Sequence, residues 1–202
     1  MTNILNPGQV TVIGGTASQY QSAIARELVF ADVVSERHPV AIFLVDDPND
    51  PAVLRNFHVW RVARRKPNTG NGRVHATDAL HSAQDLDALV AKIDKLWGYV
   101  PSPLIVRDTS SALFKLDRWT AWAPEIARSY RAKCVTVVNT GVHPLIAMPL
   151  TEIPGDAHWQ VTDDQLRVTA KNLATQESVQ FIGRAVDGGM VFDAKEAELA
   201  HV

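Results

Sequence analysis

The stretch VTVIGGTASQYQSAIAREL, residues 10–28, decides the fold that this sequence predicts. It opens with a β-branched apolar run that stops at Gly14-Gly15, which is typical of a buried strand entering a tight turn. Apolar residues then recur at helical spacing, with Ile24 and Leu28 on one face. A second apolar run, Val40–Val45, follows and ends in two aspartates and a proline. Strand, helix and strand in this order predict a βαβ unit with parallel strands.

Two further apolar runs extend this pattern, Leu104–Val106 and Val135–Val138, with helical periodicity between them. The sequence therefore predicts an α/β fold over residues 1–154, with a mostly parallel sheet flanked by helices. After residue 154 the apolar runs become short and mixed, with turn residues between them. This change predicts a short antiparallel β/α appendage over residues 155–202, within the same domain, that ends in a helix at 193–201.

Composition narrows the class of protein. The chain has 202 residues, 46% of them hydrophobic, and a formal net charge of -2. This is ordinary globular composition, and the near-zero charge argues against a dominant nucleic-acid surface. The single cysteine, Cys134, excludes an intrachain disulfide and a zinc site built from cysteines. Apolar runs too short to span a bilayer, and an N-terminus without a signal-peptide pattern, predict a cytoplasmic protein that does not enter membranes.

The glycine turn has the position of a phosphate-binding loop but only part of its motif. That motif, Gly-x-x-x-x-Gly-Lys-Ser/Thr, wraps backbone amides around phosphates, neutralises them with a lysine and binds magnesium through the hydroxyl. Aligned on Gly15, this chain keeps the final hydroxyl as Ser22 but has Tyr20 for the second glycine and Gln21 for the lysine. The candidate nucleotide-binding residues of the turn are Gly14, Gly15, Thr16, Gln21 and Ser22, and Ser22 is also a candidate metal ligand.

Polar residues follow the other predicted strands. Asp46 follows the second strand, Asp108 ends LIVRD, and Asn139 ends VTVVN. The carboxyl ends of parallel strands meet at one edge of a sheet, where α/β folds bind ligands. We therefore assign Asp46 and Asp108 as candidate catalytic residues, Asp108 also as a magnesium ligand, and Asn139 as a base or ribose contact.

On these residues the chain resembles the partition-ATPase (ParA/MinD-type) family of phosphate-loop NTPases, over about residues 8–145. The resembling features are VTVIGG, FLVDDP with Asp46, and LIVRDTSS with Asp108. The resemblance implies a P-loop NTPase-like fold, ATP or ADP with Mg²⁺ as ligand, and a dimer that organises plasmids, phage or cell components. Because the loop lysine and second glycine are absent, it implies a nucleotide-binding or pseudo-ATPase scaffold more than an active enzyme.

A basic stretch precedes the third predicted strand. Arg61, Arg64 and Arg65 lie in a segment without carboxylates, and aromatic residues are interleaved with them. These arginines are candidates for contact with a partner protein, phosphates or nucleic acid. We expect a homo-oligomer with a protein partner, and the residues 55–73 leave nucleic acid as a second ligand class.

Two other classes of function stay open. An active small-molecule or nucleotide enzyme, either a degenerate kinase or a Rossmann-type oxidoreductase, would use Asp46, Asp108 and Asn139. Against the oxidoreductase, Tyr130 and Lys133 are three residues apart, whereas a short-chain dehydrogenase has them four apart on one helix face. A purely structural interaction module would use none of these residues.

Overall fold

In the part of the chain that the structure describes, the fold consists of nine strands and one α-helix whose first and last residues are both described. The computed structural model describes residues 4–15, 40–45, 73–78, 104–108, 118–140, 149–164, 167–186 and 189–195, with single helical positions at 24, 27, 84, 85, 87, 88, 91 and 95. In chain order the elements are β1 (Val10–Gly15), β2 (Val40–Val45), β3 (Arg73–Asp78), β4 (Leu104–Asp108), α1 (Arg118–Tyr130), β5 (Lys133–Asn139), a 3-10 turn (Leu150–Glu152), β6 (Ala157–Asp164), β7 (Arg167–Asn172), β8 (Ser178–Val186) and β9 (Gly189–Lys195).

The strands form one mixed sheet in the order β3-β2-β4-β5-β1-β6-β7-β8-β9. Neighbours from β3 to β6 run parallel, and neighbours from β6 to β9 run antiparallel. β1 is central, since Val10 pairs with Cys134 of β5 and Thr11 pairs with Ala157 of β6. The apolar runs predicted as strands are confirmed at β1, β2, β4 and β5.

The predicted fold class, a mostly parallel P-loop NTPase-like sheet flanked by helices with an antiparallel appendage, is wrong. β6 pairs with the central strand β1, so β7 to β9 continue the same sheet and form no separate appendage. Within the described ranges, α1 is the one α-helix seen from end to end. The prediction fails because, among the described residues, helices do not cover both faces along the whole sheet: the strands change from buried on both faces to buried on one face. β1 is buried on both faces, whereas β7 alternates between exposed and buried residues, as expected of an antiparallel strand with one solvated face.

The predicted C-terminal helix is also wrong where it begins. Asp193 pairs with Ile182 and Lys195 pairs with Gln180, so these residues belong to β9. The segment DAKEAELAH favours a helix by composition, but strand pairing with β8 overrides that local preference at its first residues.

Two hydrophobic clusters cover the faces of the central strands. Val10 and Val12 of β1 pack with α1 in one cluster, which includes Trp119, Ala123 and Ile126. The alternate residue Ile13 packs in the other cluster. α1 is one helix that runs through Pro124. α1 ends at Tyr130, and the left-handed φ of 50° at the next residue, Arg131, stops the helical hydrogen-bond pattern.

Two buried tryptophans differ in how their indole N–H groups are satisfied. Trp119 is 2% exposed and donates to Thr136 Oγ1 at 3.0 Å. Trp159 is 3% exposed, and within the described part of the chain its Nε1–H has no hydrogen-bond partner. An unpaired buried donor costs about 1–3 kcal/mol, so Trp159 contributes less stability than its buried area suggests.

The amino end of β1 is closed by the segment that leads into β6. The backbone N–H of Val10 donates to Asp156 Oδ2 at 2.8 Å, and the Asp156 N–H donates to the Val10 carbonyl at 2.8 Å. A Cβ atom at Gly155 would lie 2.5 Å from Val12 Cγ2, so only glycine lets this segment approach β1 so closely. These contacts fix β1 at its amino end.

Candidate functional site

The carboxyl ends of three adjacent parallel strands bring together Gly15, Asn139 and Asp108. Gly15 ends β1 and pairs with Asn139, which ends β5. Asp108 ends β4 and pairs with Val137, two residues before Asn139. The Thr140 N–H donates to the Gly15 carbonyl at 2.8 Å, so the ends of β1 and β5 stay together beyond the ladder. Asp108 and Asn139 therefore lie at one edge of the sheet, whereas Asp46, the third residue that the sequence predicts there, lies outside the described residues.

The strand order makes this edge a topological switch point. β1 and β5 are neighbours in the sheet. From β1 the chain continues to β2, which lies beyond β5 and β4 towards the β3 end of the sheet. From β5 it continues to β6, which lies beyond β1 towards the β9 end. The two connections therefore leave neighbouring strands in opposite directions. In open sheets with parallel strands, ligands bind in the crevice that such a divergence leaves at the carboxyl ends.

Gly14 has a packing role that the sequence did not indicate. A Cβ atom there would overlap Leu150 Cδ1 and lie 3.0 Å from Val138 Cγ2. Leu150 is buried in the cluster that contains α1, and the bare backbone of Gly14 is what admits it. The need for glycine at residue 14 is thus explained by a side chain of the protein itself, while Gly15 is the glycine at the strand end.

Asn139 and Asp108 differ in exposure. Asn139 is buried, with 9% of its surface exposed, and Asp108 is partly exposed at the end of β4. Both take part in polar interactions within the chain. A partly exposed carboxylate beside a buried amide gives this edge an anionic acceptor that solvent or a cation can reach, and a neutral group held in place by its surroundings.

Arg107 is a buried cation at the same edge, and sequence reasoning missed it. Its side chain is 5% exposed, and Nη1 donates to the Leu44 carbonyl of β2 at 3.2 Å. Leu44 and Arg107 are partners in the β2–β4 register, each one residue before its strand ends. An arginine inside the apolar run LIVRD was the available signal, because arginine is almost never fully buried without a partner.

The tyrosine–lysine pair of the oxidoreductase alternative has other surroundings. The Tyr130 hydroxyl donates to Asp87 Oδ1. This hydrogen bond, followed by burial and the negative charge of Asp87, raises the pKa of Tyr130 above 10.0. A catalytic tyrosine that acts as a base needs a pKa shifted the other way. Lys133 is 2% exposed at the start of β5, at the amino edge of the sheet.

Several predicted site residues lie outside the described residues. They are Thr16, Gln21, Ser22, Asp46, Arg61, Arg64 and Arg65. In the ranges that are described, no group of three or more His, Cys, Asp or Glu side chains is arranged to hold a metal ion.

Comparison with known proteins adds no family to this geometry. No protein-family model matches the chain, and a search of curated protein sequences finds no significant match. Over the described parts of the chain, no helix combines the length and apolar character needed to cross a membrane.

Proposed function

We propose that this protein binds a nucleotide, ATP or ADP with Mg²⁺, at the carboxyl edge formed by β1, β5 and β4. The observation that carries the proposal is the meeting of Gly15, Asn139 and Asp108 at the divergence of the β1 and β5 connections. A glycine at a strand end lets backbone amides approach phosphates, and a carboxylate on a neighbouring strand is suited to hold Mg²⁺.

Each residue has a distinct role in this proposal. Gly15 contacts the phosphates through its backbone, and Thr16, Gln21 and Ser22, which lie outside the described residues, are the further phosphate contacts that the sequence predicts. Asp108 holds Mg²⁺ directly or through water, which fits its partial exposure. Asn139, buried at the end of β5, contacts the base or ribose through its amide.

The bound nucleotide acts as a ligand more than as a fuel. Gln21 stands where a phosphate-loop lysine would neutralise the phosphates, and Tyr20 has a side chain where that loop needs bare backbone. We therefore propose a scaffold similar in role to partition ATPases. It would be a homodimer that recruits a protein partner, with Arg61, Arg64 and Arg65 as partner or phosphate contacts.

Thermal unfolding with and without ligand tests the proposal. ATP, ADP, GTP and NADH are each added with and without Mg²⁺. At 100 times its Kd a ligand stabilises the folded state by about 2.7 kcal/mol, which is about 5–10 °C in Tm for a chain of this size. We expect this shift with ATP or ADP and Mg²⁺, and no release of phosphate in a parallel assay.

Two variants locate the response. Asp108→Asn keeps the shape of the side chain but removes its charge, and should reduce the Mg²⁺-dependent part of the shift. Glu177→Gln removes a charge from the exposed β7–β8 turn at the opposite edge of the sheet and should leave the shift unchanged. No shift with any nucleotide would refute the proposal. Phosphate release that Asp108→Asn abolishes would favour the enzyme alternative.

A further inference from the structure

We propose that Arg107 is a positioning residue of the edge site, which holds the carboxyl end of β2 beside that of β4 so that Mg²⁺ binds with the nucleotide. This inference rests on the proposed nucleotide function. Its starting point is the hydrogen bond from Arg107 Nη1 to the Leu44 carbonyl, at 3.2 Å and buried from solvent. The bond joins two residues that each stand one position before the end of their strand.

The β2–β4 ladder alone does not need this contact. The strands are already paired from Ala41 and Leu104 to Leu44 and Arg107. A buried charge is costly to desolvate, and apolar residues of similar volume are often as stable or more stable in its place. Ile105 and Leu44 lie in an apolar cluster, so an aliphatic residue at 107 would suit that cluster better than a guanidinium. Arg107 takes part in polar interactions within the chain, and a role at the edge gives its buried charge a further use.

Two carboxylates follow the joined residues in the chain. Asp108 comes directly after Arg107, and Asp46 comes two residues after Leu44. A fixed positive charge between the two strand ends lowers the repulsion between acidic groups that follow them. Residues that orient metal ligands without touching the metal, as proposed for Arg107, are important for binding. Their removal typically weakens metal binding about 10–100-fold.

The second neighbour of Arg107 is also held by a side-chain bond. Arg107 pairs with Thr136 of β5, whose hydroxyl accepts the indole N–H of Trp119. The carboxyl end of β4 is therefore held on the β2 side by the bond to Leu44. On its other side it pairs with β5, which is held to α1 by the bond between Thr136 and Trp119. This arrangement suits a residue that sets the position of Asp108.

Nucleotide affinity measured against Mg²⁺ concentration tests the role of Arg107. Titration calorimetry with ATP is run with Mg²⁺ and with EDTA on the full chain. Arg107→Gln removes the charge and should weaken the Mg²⁺-dependent gain in ATP affinity about tenfold, with metal-free ATP binding unchanged. Arg107→Lys keeps a charged donor and should restore most of that gain. Arg128→Gln, an exposed arginine of α1, is the matched control and should change neither quantity.

A double-mutant cycle separates positioning from a general loss of structure. If Arg107 acts through Asp108, Arg107→Gln should cost little Mg²⁺ dependence in an Asp108→Asn background. Equal weakening of ATP binding with and without Mg²⁺, or additive losses in the cycle, would overturn the inference. If Arg107→Gln fails to fold, Arg107→Lys decides. A folded lysine variant that keeps most of the Mg²⁺-dependent gain in ATP affinity supports the inference, and one whose gain falls about tenfold overturns it. A wild-type protein that binds no ATP refutes the proposed function itself.

Discussion

Replacing Gly14 by alanine should destabilise the protein through a contact with Leu150. The added Cβ atom would overlap Leu150 Cδ1 and lie 3.0 Å from Val138 Cγ2 of the neighbouring strand. Leu150 is 8% exposed and packs in the α1 cluster, so its side chain has little room to withdraw. Overpacking of this kind costs about 1–3 kcal/mol.

Leu150→Ala, combined with Gly14→Ala, measures the free energy of the contact between the two residues. Leu150→Ala alone should cost about 2–4 kcal/mol, because it leaves a cavity over β1. In that background Gly14→Ala has space, and its cost should fall below about 1 kcal/mol. The difference is a coupling free energy of about 1–2 kcal/mol, which residues in direct contact commonly show.

Urea unfolding followed by tryptophan fluorescence measures these free energies. The four proteins of the cycle are compared by linear extrapolation, and a loss of about 2 kcal/mol corresponds to about 4–8 °C in Tm. The same cost of Gly14→Ala in both backgrounds would refute the packing explanation. The glycine would then be required for the backbone or for a ligand.

Two further predictions concern buried side chains. Burial, and after it the negative charge of Asp156, raises the pKa of the Cys134 thiol far above its ordinary 9.0. The folded protein should therefore resist a thiol reagent at pH 8 that labels the urea-unfolded chain. Because the unfolded thiol ionises first, the free energy of unfolding should fall as pH rises above about 9, and Cys134→Ala should lack this part of the decline. Fast labelling of the folded protein would contradict this account. Trp159→Phe removes an indole N–H that has no partner among the described residues, whereas Trp119→Phe breaks the bond to Thr136. Chemical unfolding should find Trp119→Phe more costly by about 1–3 kcal/mol, and equal costs would mean that the Trp159 N–H is satisfied.

Strands that are buried on both faces could be predicted from the sequence. The order and pairing of all nine strands in the sheet could not. β1, β4 and β5 contain continuous apolar runs because both faces of the central sheet are covered there, and such runs can be recognised in the sequence alone. β3, RVHATD, is too polar for that signal and was not predicted. The pairing of β6 with β1 is a long-range contact without a local motif, so the antiparallel strands were assigned to an appendage.

The candidate site was predictable only in part for the same reason. Asp108 and Asn139 end apolar strands, and parallel pairing brings their ends to one edge. The packing of Leu150 on Gly14 and the bond between Arg107 and Leu44 join residues far apart in the chain. Neither contact leaves a periodicity or spacing that sequence reasoning can use. The local signs of these two contacts are a glycine near the end of an apolar strand and an arginine near the end of another.

The central place of β1 sets an order of events during synthesis. Asp156, whose carboxylate accepts the Val10 N–H, is made 146 residues after Val10. At 5–20 residues per second, the ribosome needs roughly 7–30 s to make that interval. Through this time β1 lacks β6, and for most of it β1 also lacks β5, so its apolar residues and unpaired backbone groups must be shielded by other means. A nascent chain of this protein should therefore depend on chaperones between the synthesis of β1 and that of β6, and a chain truncated before β6 should aggregate through β1.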